Sequence, residues 1–131
     1  MAESWQPLDG AANRLRGKVC VVAGAGQGIG RATARRLGAE GGVVVVAERV
    51  EESAQRTTSE LQANGVQATQ IIADVGTLAG AQKLMSETLS AHDRIDVLVN
   101  NVGGTIWIQP YHLYTEEQVN RELERTLYPT I

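Results

Sequence analysis

The sequence contains one cysteine, no phenylalanine and three prolines among 131 residues. The single thiol, Cys20, excludes an intramolecular disulfide and a cysteine-built metal site, which fits a reducing compartment such as the cytoplasm. Aromatic residues make up only 4% of the chain, whereas glycine occurs 14 times. Small residues in place of bulky rings favour helices packed closely on a sheet over an aromatic core.

Long hydrophobic runs are also missing. The longest, at residues 19–23 and 43–47, are five residues each, too short for a transmembrane helix, and the first residues lack the apolar core of a secretory signal. The net charge of −3 argues against a strongly basic nucleic-acid binder. We therefore expect a cytoplasmic protein that binds neither nucleic acid nor membrane.

What is present is an alternation of short apolar runs with segments of helical periodicity. Residues 1–16 are polar and irregular, and we expect a flexible leader there, followed by one domain over residues 17–131. The pattern is typical of an α/β fold, a Rossmann-like doubly wound parallel sheet with helices on both faces, which binds ligands at the carboxyl ends of its strands. Strands are predicted at 18–23, 43–47, 66–73 and 95–100, and helices at 29–40, 51–64, 78–91 and 115–127.

Apolar or small residues recur with helical period in two of the predicted helices. In the first helix, apolar or small residues recur at Ile29, Ala32, Leu37 and Ala39. In the third helix, the corresponding positions are Leu78, Ala81, Leu84 or Met85, and Leu89. This spacing supports the assignment of both segments as helices.

A glycine-rich turn follows the first strand and opens the first helix. Its spacing is G-x-x-x-G-x-G, which differs from the common G-x-G-x-x-G fingerprint, and no Lys-Ser/Thr follows as in a Walker loop. Glycines let a pyrophosphate approach the main chain, and the free N–H groups of the helix start face the anion. The alternative is a turn that only packs helix against strand. The predicted cofactor contacts are Gly24, Gly26, Gln27, Gly28, Ile29 and Gly30.

The second strand ends at Glu48-Arg49. Glu48 lies 18 residues after Gly30, near the offset at which an acidic residue binds the adenosine ribose hydroxyls of a dinucleotide. A carboxylate there repels a 2′-phosphate, so NAD is favoured over NADP, although the neighbouring Arg49 could pair with such a phosphate. The alternative for Glu48 is a solvated surface acid.

Polar residues also follow the third and fourth strands. Asp74-Val75 offers a carboxylate for an adenine amino group beside an apolar flank, and the alternative is a cap on the next helix. After the fourth strand, Asn100 and its neighbour Asn101 can bridge strand ends, and Gly103 lets the backbone pass close to a ribose. The alternative there is an ordinary Asn-rich turn. We include Asp74, Val75, Asn100 and Gly103 among the predicted cofactor contacts.

These motifs, in this order, resemble the short-chain dehydrogenase/reductase family over residues 18–131. The resemblance implies a nicotinamide dinucleotide cofactor, NAD, and a strand order 3-2-1-4 that continues beyond the fourth strand. Two departures are mild, since Ala23 stands where the family usually has Thr, and Val102 where it usually has Ala.

The run from Asn100 to Trp107, with Tyr114 and the later Leu-Tyr-Pro-Thr, resembles more closely the benzoate cis-diol dehydrogenases, whose family oxidises 1,6-dihydroxycyclohexa-2,4-diene-1-carboxylate. That resemblance implies a small aromatic-derived substrate, NAD-dependent removal of a hydride, loss of carbon dioxide and release of a catechol. It also suggests that Trp107 walls an apolar ring pocket, the alternative being ordinary loop packing.

The family's catalytic Ser and Tyr-x-x-x-Lys have no counterpart here. The last lysine is Lys83, every tyrosine comes after it, and Thr126 aligns near the family's catalytic Asn. We assign no catalytic residue and no metal ligand, and expect an inactive fragment that holds the dinucleotide-binding half. The alternative is a stand-alone nucleotide-binding or regulatory module. Residues 95–99 would form an apolar edge strand that invites a second copy or a completing chain.

Overall fold

The computed structural model describes residues 13–130. Every predicted strand and helix is present, with ends within two residues of expectation, and two short 3₁₀ helices at Tyr111–Leu113 and Tyr128–Thr130 were not predicted. The main elements in chain order are β1 (Val19–Ala23), α1 (Gly28–Ala39), β2 (Val43–Glu48), α2 (Glu51–Ala63), β3 (Ala68–Ile72), α3 (Leu78–His92), β4 (Val97–Asn100) and α4 (Glu116–Thr126).

The four strands form one parallel sheet in the order β3-β2-β1-β4, which confirms the α/β doubly wound fold. Val22 of β1 pairs with Val46 of β2 on one side and with Val99 of β4 on the other. Within the described residues, β4 pairs with β1 alone. Its Leu98 is 47% exposed, so the predicted apolar edge is present.

The central strands β1 and β2 are buried on both faces, which accounts for the continuous valines of β2. Val44 and Val46 pack with Ala34 of α1 and Leu61 of α2, whereas the alternating residues of β2 pack with Leu84 of α3. Since side chains alternate across a strand, helices α1 and α2 cover one face and α3 the other. Each fully buried valine contributes ~1.5–3 kcal/mol.

The apolar residues that give α1 its helical period are mostly not its buried residues, although Leu37 is partly buried against the core. Ile29 is 77% exposed, and the buried residues are Gly30, Ala34 and Gly38, spaced four apart. The reason is steric: a Cβ on Gly38 would lie 2.6 Å from Val66 Cγ1, so the helix packs closely only where side chains are small or missing.

The apolar residues along one side of α3 are buried only in part. Leu84 is buried together with Thr88, while Leu78 is 75% and Leu89 46% exposed. The hydroxyl of Thr88 donates to the Leu84 carbonyl oxygen at 2.7 Å. This bond satisfies the hydroxyl inside the helix and lets a polar residue occupy a core position.

Local sequence signals close the end of α2 and open α4. Gly65 closes the turn after α2 at φ +76°, a left-handed conformation that glycine adopts without steric cost. Thr115 caps α4 by accepting from the Gln118 N–H at 3.3 Å, and the Gln118 side chain accepts in return from the Thr115 N–H at 3.0 Å. This reciprocal pair is a capping box.

Most of the predicted leader lies outside the described residues. In its described part, the Arg14 guanidinium donates to both carboxylate oxygens of Glu40 at 3.1 and 2.6 Å, and the Leu15 N–H donates to the Glu40 carbonyl oxygen at 2.9 Å. Glu40 is 3% exposed. Residues 14 and 15 are therefore held against the end of α1.

Candidate functional site

The carboxyl ends of all four strands meet at one cavity of about 270 Å³. They converge because the strands are parallel, so that every strand delivers its last residues to the same edge of the sheet. The end of α4 forms a further wall. The lining residues are Gly24, Gln27, Ala47, Glu48, Arg49, Ala73, Asp74, Val75, Gly76, Asn101, Val102, Gly103, Glu124, Arg125 and Pro129.

The glycine loop after β1 is built on close backbone approaches. Gly24 and Gly28 adopt φ of +76° and +54°, which disfavour residues with a Cβ. A Cβ on Gly30 would lie 2.1 Å from the Gly24 carbonyl oxygen and 2.8 Å from Asn101 Nδ2. The loop therefore needs glycine at these positions for two different physical reasons, backbone angle and space.

The start of α1 has the properties of an anion site. Its N-cap residue, Gln27, is extended at φ −158° and makes no side-chain capping bond, and the first turn holds no acidic residue. The positive end of the helix dipole is therefore not neutralised by the helix itself, and it lies at the rim of the cavity that Gln27 lines. A phosphate group is the natural ligand for such a helix start.

Glu48, at the end of β2, is fixed by backbone hydrogen bonds. Its Oε2 accepts from the Gly26 N–H at 3.1 Å, and its Oε1 accepts from the Arg49 N–H at 2.9 Å. An ionised carboxylate offers about four acceptor positions, so Glu48 keeps capacity for hydroxyl donors in the cavity. A Cβ on Gly26 would lie 2.7 Å from Oε2, which explains the glycine there.

Asp74 shapes the turn after β3. Its Oδ1 accepts from the Gly76 N–H at 2.9 Å, whereas α3 is capped by Thr77, whose hydroxyl accepts from the Gly80 N–H at 3.0 Å. The alternative in which Asp74 caps the helix is therefore wrong. Its carboxylate and the Val75 side chain both line the cavity.

Seven of the twelve predicted contacts line the cavity, and five do not. Gly26 is buried behind the wall, where its carbonyl accepts from the Thr57 hydroxyl at 3.3 Å. Gly30 is also buried, and Gly28, Ile29 and Asn100 are exposed outside the lining. The seven are Gly24, Gln27, Glu48, Arg49, Asp74, Val75 and Gly103.

The sequence prediction missed several lining residues. Asn101 lines the cavity and Asn100 does not, although both belong to the Asn-Asn pair that marked this strand end. Glu124, Arg125 and Pro129 come from α4 and the segment after it. No motif marks Glu124 or Arg125, and Pro129 was noted only as part of the Leu-Tyr-Pro-Thr run, without a role in binding. Their role depends on where the fold places α4.

The segment between β4 and α4 is held by one carboxylate. Glu122 Oε1 accepts from the N–H groups of Ile106 at 2.8 Å and Trp107 at 3.0 Å. The Tyr114 hydroxyl donates to the Trp107 carbonyl oxygen at 2.6 Å, and the two rings meet edge to face with centroids 6.4 Å apart. Burial and the nearby Glu122 charge raise the pKa of Tyr114. Trp107 thus packs on the loop, outside the cavity lining.

The side chains at this edge of the sheet can bind a polar ligand through hydrogen bonds and ion pairs. The cavity offers the carboxylates of Glu48, Asp74 and Glu124 and the guanidinium groups of Arg49 and Arg125. Among residues 13–130, no three His, Cys, Asp or Glu side chains are grouped to hold a metal ion, and no helix has the length and apolar character needed to cross a membrane.

Comparison with known proteins agrees with this geometry. A family model described as short chain dehydrogenase matches residues 18–131. The chain is 41% identical over 118 residues to the 1,6-dihydroxycyclohexa-2,4-diene-1-carboxylate dehydrogenase of Acinetobacter baylyi, covering 90% of this chain and 45% of that protein. The chain thus spans about half the length of this curated relative.

Two crystal structures share the fold. A short-chain dehydrogenase/reductase from Burkholderia xenovorans superposes with a TM-score of 0.81 at 34% identity, covering 88% of this chain and 48% of the other. A metagenomic short-chain oxidoreductase in complex with NADP superposes with a TM-score of 0.75 at 34% identity, covering 84% of this chain and 50% of the other.

Proposed function

Because this chain belongs to the short-chain dehydrogenase family, we propose that its cavity binds the adenosine half of a nicotinamide dinucleotide. The observation that carries this proposal is the placement of Glu48 and Asp74 on the same cavity as the start of α1. The N–H groups at the helix start would bind the phosphates. The Glu48 carboxylate would accept hydrogen bonds from the ribose hydroxyls. Asp74 would accept from the adenine amino group, with Val75 beside the ring.

NAD is the cofactor that the charges favour. The cavity carries three carboxylates against two guanidinium groups, and Glu48 would lie beside the 2′ position of the ribose. A 2′-phosphate there would meet like charge, which weakens binding. Arg49 would attract a 2′-phosphate, so the preference for NAD over NADP depends on Glu48.

We further propose that the full-length protein oxidises a cis-dihydrodiol carboxylate to a catechol. A hydride passes to NAD⁺ and the carboxylate leaves as carbon dioxide, so the products are a catechol, carbon dioxide and NADH. Support comes from the run at residues 100–107 and from the identity with the Acinetobacter enzyme. This chain lacks a Tyr-x-x-x-Lys motif, so we propose that it contributes the cofactor-binding half. A stand-alone nucleotide-binding module without catalysis is the alternative function.

Calorimetry on the folded 131-residue chain tests the cofactor proposal. We expect binding of NAD, with NADP weaker, and no NADH formation from a cis-dihydrodiol acid. The absence of heat with NAD would contradict the cavity assignment, and steady NADH formation would contradict the half-enzyme assignment.

Reading the DNA beyond codon 131 separates the two functions, because a coding remnant of Tyr-x-x-x-Lys supports the dehydrogenase and its absence supports the module.

We also propose that a further strand covers the free edge of β4. The family relatives are about twice as long as this chain, which favours a completing segment over a second copy. A dimer that forms with rising concentration in sedimentation velocity would instead favour the second copy.

The buried Cys20 fits residence in the reducing cytoplasm.

A further inference from the structure

The cavity has a wall that lies outside the strand-end motifs. Glu124, Arg125 and Pro129, from α4 and the segment after it, share the lining with Asp74 and Val75 of the β3 end. The end of α4 is held close to the β4 end, because a Cβ on Gly103 would lie 3.4 Å from Thr126 Cγ2. Arg125 immediately precedes this contact, so its position at the cavity follows from the packing of α4.

Arg125 is available for a ligand. Its side chain is exposed, and it makes no ion pair within residues 13–130. Arg121, one turn earlier on the same helix, pairs with Glu117 at 3.2 Å and does not line the cavity. The two arginines therefore differ in surroundings while sharing the helix, which makes Arg121 a matched control.

We propose that the Arg125 guanidinium stacks on the adenine ring of the bound nucleotide. This inference rests on the proposed function and adds a specificity-determining residue to it. A guanidinium is planar and weakly hydrated, and it stacks favourably on aromatic faces. The apolar side chains of Val75 and Pro129 line the same cavity, and apolar surface of this kind favours an aromatic base over a charged group.

Stacking on the base fits the charges better than pairing with a second phosphate. Glu124 is the direct neighbour of Arg125, and the cavity holds one more carboxylate than guanidinium groups. A site built for a 2′-phosphate would carry an excess of positive charge. With a net negative lining, Arg125 contributes more as a planar surface than as a counter-ion.

Calorimetry with adenosine and 5′-AMP tests the proposal on the 131-residue chain. We expect Arg125→Ala to weaken the binding of both by about fivefold, and Arg125→Lys, which keeps the charge but loses the plane, to recover only part of it. Arg121→Ala should leave both affinities unchanged. Circular dichroism melting curves of each variant establish that the fold is retained.

The outcomes separate the two proposals. If the wild-type chain binds neither adenosine nor 5′-AMP, the proposed cofactor site fails and this inference fails with it. If the wild type binds and Arg125→Ala binds equally well, the cofactor site stands and the role of Arg125 is wrong. A loss confined to 5′-AMP, restored by lysine and removed by high salt, would identify phosphate pairing and overturn the stacking.

Discussion

The Glu48 carboxylate and the Gly26 N–H, 22 positions apart in the chain, are joined by a hydrogen bond of 3.1 Å. The bond ties the end of β2 to the glycine loop after β1. It fixes the carboxylate at the cavity wall before any ligand arrives. A preorganised acceptor of this kind costs less ordering on binding than a free side chain would.

Removing the Glu48 charge tests its role in cofactor choice. We expect Glu48→Gln to narrow the preference for NAD over NADP by about tenfold, the effect of losing a charge-assisted hydrogen bond worth ~1.5 kcal/mol. Calorimetric titration with both dinucleotides measures the ratio. Glu52→Gln, an exposed acid in the first turn of α2, should leave the ratio unchanged. An unaltered ratio in Glu48→Gln would show that Glu48 is not the ribose ligand.

The close approach at Gly30 predicts a stability loss. Gly30→Ala would place a Cβ 2.1 Å from the Gly24 carbonyl oxygen, and we expect a loss of about 3 kcal/mol because backbone must shift to relieve the overlap. Gly28→Ala has open space but a φ of +54°, and we expect it to cost only about 1 kcal/mol. Urea unfolding measures both, and equal losses would contradict the steric argument.

The hydrogen bonds of Asp96 make the free energy of unfolding depend on pH in the acid range. The Arg94 guanidinium, donating at 2.8 Å, and the Val19 N–H, also at 2.8 Å, hold the pKa of Asp96 down at about 2, against 3.8 for the free side chain. Because the folded pKa is depressed, the stabilisation is complete above the unfolded pKa and is lost as the pH falls from about 4 towards 2.

We therefore expect Asp96→Asn to be less stable than wild type at neutral pH and to lose less stability on acidification. Urea midpoints measured across that pH window give the comparison. Arg94→Gln removes one of the hydrogen-bond donors to Asp96. It should also make the urea midpoint less dependent on pH. A residual slope is expected from Glu40, whose pKa is also lowered to about 2, chiefly by its hydrogen bond with Arg14. Profiles of equal slope in wild type and Asp96→Asn would refute the assignment.

The Glu122 contact with the segment after β4 predicts a local change in exchange. Glu122→Gln replaces an ionised acceptor by a neutral one, and we expect the Ile106 and Trp107 amides to exchange about tenfold faster because charged acceptors bind N–H groups more strongly. The pKa of Tyr114 should fall towards its ordinary value as the neighbouring negative charge disappears. Hydrogen-exchange mass spectrometry and spectroscopic titration measure the two effects.

Tyr114→Phe is the informative companion variant. It removes the bond to the Trp107 carbonyl oxygen but leaves both N–H groups paired with Glu122. We expect little change in amide exchange for this variant. Equal acceleration in both variants would mean that the loop is held by the tyrosine and not by the carboxylate.

The order of elements and the strand-end motifs could be read from the sequence because they depend on local properties. Apolar runs, glycine turns and caps are set by neighbours within a few residues. The buried faces of α1 and α3 could not be predicted in this way. Ile29 belongs to the apolar period of α1 but is exposed, whereas the close packing around Gly30 and Gly38 made small residues the buried ones.

The sequence by itself determined that this chain forms a doubly wound sheet with a glycine loop, an acid after β2 and polar residues after β3 and β4. Only the tertiary structure decided which of these residues share a cavity. In the folded chain, Asn101 lines the cavity and Asn100 does not, Glu48 is hydrogen-bonded to Gly26, and Arg125 of α4 lies at the strand ends. The physical reason is that these contacts join residues more than 20 positions apart, and such contacts exist only once the helices pack on the sheet.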